Sequence, residues 1–271
     1  MKVNFSPVLK KDTGSLIFLC FKEKGLDEYL LDINKKTNNY LNRATEIAGL
    51  EFNDNCCVEI ILPQASRADR ILLFGLKEAK NFGSSSKLER LGSFITSELN
   101  KRKIKEATLN INASVIRDGM EAHIIFGANL NTYRFNKYFS DKKNMRHNHL
   151  LQFNIVSSNH EIARKHWKRL GAIKEGVFLT RDLVSEPANN LTPNLLAKAA
   201  SNLKKYGIKV NVLDEKKLRE LKMGALLGVA QGSSNKPFVV TLEWKGNKKN
   251  NTTDFAFVGK GVTFDTGGIS I

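Results

Sequence analysis

Over roughly the first 155 residues, short apolar runs alternate with longer stretches whose apolar residues return every three or four positions. Residues 15–21, 58–62, 70–76 and 107–111 have strand length. Residues 87–101 instead place Leu88, Leu91, Phe94, Ile95 and Leu99 on one helical face, and 115–126 reads as a second helix. Ser86 and Glu89 stand at capping-box spacing in the Gly83-Ser84-Ser85-Ser86 loop before the first of these helices. Strands separated by helices predict a mainly parallel sheet with helices packed against it.

The pattern changes at Ser157-Ser158-Asn159. Asn159 suits the N-cap of a helix running through Trp167 and Leu170 to Phe178 and Leu183, which Gly171 and Gly176 weaken or interrupt. Pro187 ends it, because proline lacks a donor and pushes Glu186 out of helical geometry. Thr192-Pro193 opens another helix, with Leu195, Leu196, Ala199 and Leu203 as its buried face and Gly207 as its stop. Beyond it, 208–213 alternates as a strand, 215–221 is a short helix, and 225–230, 238–244 and 255–258 read as strands, the last one buried. The expected organisation is an N-terminal α/β domain over 1–157, a connecting helix over 158–186, and part of a second α/β domain over 187–271.

Composition alters this picture little. A chain of 271 residues with 41% hydrophobic and 8% aromatic residues is long enough for two ordinary globular domains. The N-terminus lacks the apolar core of a signal peptide, and no stretch approaches bilayer-spanning length. Cys20, Cys56 and Cys57 make an odd set whose adjacent pair is badly placed to bond with itself, so free thiols in a reducing cytoplasm are expected. These features predict a cytoplasmic protein with no membrane partner.

Charge offers two readings. The net value is +16, with 28 basic against 18 acidic residues over 1–170 (net +10) and 15 against 9 over 171–271 (net +6). An excess spread this evenly, in a chain rich in lysine and asparagine, fits genome composition. The alternative is a basic module that attracts nucleic acid without sequence preference. No helix-turn-helix, zinc-finger or RNP pattern sharpens it. His147-Asn148-His149 sits in a basic loop with no cysteine or carboxylate cluster, which favours a surface loop over a metal site.

One stretch combines charge, glycine and apolar residues closely: Val258-Gly259-Lys260-Gly261-Val262-Thr263-Phe264-Asp265-Thr266-Gly267-Gly268-Ile269-Ser270-Ile271. It is not a phosphate loop, since Gly261 follows the lysine and no glycine precedes Gly259 by five residues. By spacing alone it fits a strand-to-turn junction with a solvated Lys260 and Asp265 better than it fits a site. The segment nevertheless closely resembles the metal-binding signature of the leucyl aminopeptidases, the cytosol aminopeptidase family. Two further blocks agree in the same order, Thr180-Arg181-Asp182-Leu183-Val184-Ser185-Glu186-Pro187-Ala188-Asn189-Asn190-Leu191-Thr192-Pro193 and Met223-Gly224-Ala225-Leu226-Leu227-Gly228-Val229-Ala230-Gln231-Gly232. The likeness is clear from about Gly171 onward and weaker before it, where Asn131-Thr132-Tyr133-Arg134-Phe135-Asn136-Lys137-Tyr138 is similar to a segment near the end of the family's first lobe.

The resemblance implies a macro-like N-terminal α/β domain followed by the first part of an α/β metallopeptidase domain. It implies release of N-terminal amino acids from peptides by two divalent ions (manganese, zinc or magnesium) and a homohexamer in the full-length family. Lys260 matches a lysine ligand of one ion and Asp265 a carboxylate that bridges both. A lysine coordinates only as the neutral amine, which a nearby dication and burial favour, and an aspartate has two oxygens for two ions. In the family a second lysine, further acidic ligands and an arginine follow. This sequence stops at Ile271, one residue before that lysine, so the expectation is a fragment with no catalytic residue of its own, an incomplete metal site and no activity alone. No motif in the first lobe supports ligand binding.

Overall fold

The computed structural model describes residues 1–9, 14–61, 67–77, 84–111, 116–141, 143, 145–246, 252–253 and 255–263. Two compact units divide the chain, Met1–Phe178 and Leu179–Ile271, and each is described by itself.

The first unit is built on six strands: β1 (Lys2–Ser6), β2 (Gly14–Phe21), β3 (Cys56–Ile60), β4 (Ala68–Leu76), β5 (Glu106–Asn110) and β6 (Gln152–Val156). They lie in the order β1-β6-β5-β2-β4-β3, parallel except for β3, which pairs antiparallel with β4. Side chains alternate across a pleated sheet, and here the alternation feeds two cores. Ile17, Leu72 and Phe74 face one side with Leu109 and Phe153, against helices α3 (Ser85–Lys101) and α4 (Glu121–Asn131). Leu16, Phe18, Ile71 and Leu73 face the other, against α1 (Glu28–Lys36) and α2 (Tyr40–Ile47). A strand buried on both faces reads as a continuous apolar run, and that is why β2 and β4 are legible in the sequence. At the other edge one face is polar instead: Asn4 Nδ2 donates to Asn154 Oδ1 (2.8 Å), and Asn154 Nδ2 donates to Glu106 Oε1 (3.0 Å).

Two glycines bring α3 and α4 into backbone contact. A Cβ at Gly92 would lie 1.8 Å from the Ile124 carbonyl oxygen, and one at Gly127 would lie 1.8 Å from that of Glu89. The cap of α3 differs from expectation by two residues, since Ser84 Oγ, not that of Ser86, accepts from the Lys87 N–H. The second helix also starts later than its predicted 115, at Glu121, because residues 116–120 form the turn that delivers it.

α5 (His160–Ser185) runs through Gly171 and Gly176 without the interruption that was one of their two expected effects. One weak residue per turn is tolerated when neighbours hold the helix; here Trp167 packs into the first core and the Tyr133 ring meets Phe178 at 5.3 Å.

In the second unit α6 (Pro193–Ser201) starts after Thr192 as predicted, although the threonine side chain makes no capping bond. A 3-10 turn (Asn202–Tyr206) then stops at Gly207, whose φ of +81° suits glycine. Strand β7 (Lys209–Leu213) pairs antiparallel with β8 (Val239–Glu243), and α7 (Glu215–Glu220) is capped by Asp214. Three expectations fail. Leu195, placed on the buried face of α6, is exposed, and Ala197 is the residue buried there. Residues 225–230 belong to a helix, α8 (Gly224–Ala230), because a short Ala- and Leu-rich run fits either period and these residues favour helix. Residues 255–258 form no strand and are not buried: Phe255, Phe257 and Val258 are 83%, 97% and 99% exposed. An apolar run predicts a strand only where a neighbour offers its edge.

Candidate metal centre

Of the two expected metal ligands, Lys260 falls among the described residues of the second unit. Beyond β8 and Trp244, residues 255–263 form neither helix nor strand. The segment lies beside α6, since a Cβ on Gly261 would sit 3.4 Å from Leu196 Cδ2. Lys260 is on this segment, and its side chain is exposed. Asp265, together with Gly267, Gly268 and the rest of the motif from Phe264 on, lies outside the described residues.

A lysine nitrogen binds a metal only after losing its proton, which burial and an adjacent dication promote. Lys260 is exposed, and among the described residues no group of three or more His, Cys, Asp or Glu side chains could hold a metal ion. The described residues therefore do not by themselves make a two-ion donor set.

The first unit holds a concave surface of its own. A shallow cavity of about 550 Å³ opens at the carboxyl ends of the parallel strands, between β2 and β5, where the chain turns to opposite sides of the sheet. Ligands of open α/β sheets bind at such switch points. Its lining includes Asp27, Glu28, Tyr29, Asp32, Asn110 and Ser158. Carboxylates of this density repel a phosphate. Local structure accounts for two of them: Asp27 accepts from the Tyr29 N–H to cap α1, and Asp32 pairs with Lys36 at 2.5 Å.

A group that the sequence reading passed over is Glu121. It is fully buried at the start of α4, and its Oε1 accepts from Ser157 Oγ at 2.6 Å. Burial pushes its carboxyl above the usual range, against the opposing pull of Ser157 and backbone N–H groups. The signal was present, because Glu121 shares its helical face with Ile125 and Ala128 at i+4 and i+7.

Similarity to known proteins covers both units. The N-terminal domain profile of the cytosol aminopeptidase family matches residues 17–142, and its catalytic domain profile matches 178–271. A probable cytosol aminopeptidase of Sinorhizobium fredii is 39% identical over 236 residues, which is 85% of this chain and 47% of that protein. One from Brucella anthropi is 37% identical over 272 residues, covering 99% of this chain and 54% of that protein. The chain thus spans about half the length of the curated relatives it matches. Among solved structures, a tomato leucine aminopeptidase variant shares the fold with a TM-score of 0.72 at 23% identity, over 89% of this chain and 50% of that one. A bottromycin maturation enzyme in complex with Mn does so with a TM-score of 0.63 at 20% identity, over 84% and 44%. With both family domains matched in order on a macro-like lobe and a second α/β unit, the chain belongs to the cytosol aminopeptidase family.

Proposed function

We propose that this chain serves a metal-dependent exopeptidase that removes N-terminal amino acids from peptides in the cytoplasm, as part of a homo-oligomer, and that Lys260 and Asp265 are two of its metal ligands. One observation carries the reading: Val258–Gly268 holds a lysine, an aspartate five residues later and a glycine pair, inside the 178–271 match to the family's catalytic domain. A pair of divalent ions, when bound, polarises the peptide carbonyl and activates a water. This chain's contribution is a nitrogen from Lys260 and a two-oxygen donor from Asp265. Mixed nitrogen and oxygen ligands select weakly among manganese, zinc and magnesium, although one structural neighbour is described as a complex with Mn.

The test is direct. Manganese binding to the chain, followed by electron paramagnetic resonance, is expected to weaken on Lys260→Ala and to weaken further on Asp265→Ala. Leucyl-amide hydrolysis measured on the same samples should fall with it wherever turnover is detectable. Manganese binding that is unchanged in both variants overturns the assignment.

A further inference from the structure

We propose that the first unit carries a binding surface for single-stranded nucleic acid, built from the loop between α4 and β6 and the turn that ends α3. The chain's charge of +16 favours an anionic partner but does not say where it would sit. The fold gathers part of that charge at the amino ends of the parallel strands. There the Asn100 side-chain oxygen accepts from the His149 N–H at 2.7 Å and from the Leu150 N–H at 3.3 Å, which holds the base of the loop against the end of α3. On the same side the Leu151 N–H donates to the Lys105 carbonyl at 2.8 Å. Exposed Lys103, Lys105 and Arg146 are thereby brought onto one surface.

The loop itself is tied in two places. Asn148 Nδ2 donates to the Thr132 carbonyl at its base, and Asn136 Nδ2 donates to the Arg146 carbonyl at 2.8 Å further out. Two exposed rings follow, Tyr138 at 51% and Phe139 at 46%. The Phe135 ring meets that of Tyr138 at 5.8 Å, and Lys137 Nζ lies 5.4 Å from the Tyr138 centroid. Unpaired bases stack on aromatic rings held at a surface in this way, while neighbouring cations neutralise their phosphates. The nearby acids are engaged elsewhere, Glu98 with Lys101 and Arg102, and Glu106 with Gln152 and Asn154. A duplex stacks its bases on each other and leaves no base face for the rings. A lipid surface asks for a larger apolar tip, and here Ser140 and Asp141 follow the two rings directly. The cations continue instead from the loop to Lys103 and Lys105, which suits the phosphates of a strand. This surface belongs to the first unit and calls on no metal ligand.

Fluorescence anisotropy of the full chain with a labelled uridine oligomer of about 15 nucleotides tests the proposal. Binding is expected at about 50 mM salt and should weaken as salt rises, with a log–log slope of about −2 to −3 for about three or four phosphates. Tyr138→Leu with Phe139→Leu keeps apolar bulk without the rings and should weaken binding about tenfold at an unchanged slope. Lys103→Gln, Lys105→Gln and Arg146→Gln together should weaken it as well and flatten the slope by about 2. The same change at Lys204, Lys216 and Lys222 of the second unit should leave both quantities near those of the parent. All of these side chains are exposed, and thermal melting of each variant separates lost binding from lost folding. No binding at low salt, or leucine variants that bind like the parent, would overturn the surface. So would second-unit variants that lose as much, equal or tighter binding of the duplex formed with an adenosine oligomer, or capture by phosphatidylserine vesicles in preference to the oligomer.

Discussion

The two units bury their apolar residues to very different extents. In the first, Leu72, Phe74, Ile95, Ile124 and Phe153 are wholly inaccessible, and the sheet has a core on each face. In the second, the buried apolar residues among those described are Ala197, Val210 and Leu218, while Val229, Trp244, Phe255, Phe257 and Val258 face solvent. Similar apolar content therefore makes a closed domain in one half and an uncovered one in the other. What separates them is the number of elements available to cover each sheet face.

The sharpest way to break this comparison is the same substitution in both units. Gly92→Ala or Gly127→Ala drives a methyl into a backbone carbonyl 1.8 Å away and should cost about 3 kcal/mol or more of first-unit stability. Gly228→Ala in α8 meets nothing within 4 Å and should stabilise by up to about 1 kcal/mol. Urea titrations that place Gly92→Ala within error of the parent would refute the helix contact. Of comparable size, Phe74→Ala is expected to cost about 3–5 kcal/mol and Phe257→Ala within about 0.5 kcal/mol. Equal losses would mean that Phe257 is buried in solution.

A smaller effect belongs to the ion-pair network beside β3. Arg102 reaches Glu59 at 3.0 Å and Glu98 at 2.6 Å, and Lys101 also reaches Glu98 at 2.6 Å. Burial alone would raise the Glu98 carboxyl, but the hydrogen bonds from Lys101 and Arg102 outweigh it and hold it below the usual range. Its stabilisation is thus present above the unfolded carboxylate pKa and is lost as pH falls through the folded value. Arg102→Ala should cost about 2 kcal/mol at neutral pH and flatten the acid limb of the stability curve; an unchanged limb would refute the assignment. Smallest of all is a difference in labelling. Burial pushes the Cys20 and Cys57 thiols up to about 12, so both should resist alkylation at neutral pH until the first unit unfolds, a result read by mass spectrometry.

Legibility followed the same division. β2 and β4 were readable because burial on both faces leaves an apolar run, and α3 because its apolar residues keep helical spacing over four turns. β1 and β6 were not, since one polar face replaces their apolar alternation with Asn4, Gln152 and Asn154; Asn4 pairs with Asn154 across 150 residues, and Gln152 and Asn154 both reach Glu106 on β5. In the second unit, 225–230 and 255–258 were both read as strands, one proving a helix and the other exposed coil. Runs of four to six apolar residues state a preference for burial but not the element that achieves it.

By itself, the order of residues determined the α/β class, through apolar periodicity, and the resemblance to the cytosol aminopeptidase family from which Lys260 and Asp265 are proposed as ligands, because both are carried by local stretches of the chain. Tertiary structure alone decided which strands are neighbours, that Gly92 and Gly127 seat two helices against each other, and that Glu121 loses contact with water. Each of these depends on what a distant segment brings to the same place, and no local pattern records that.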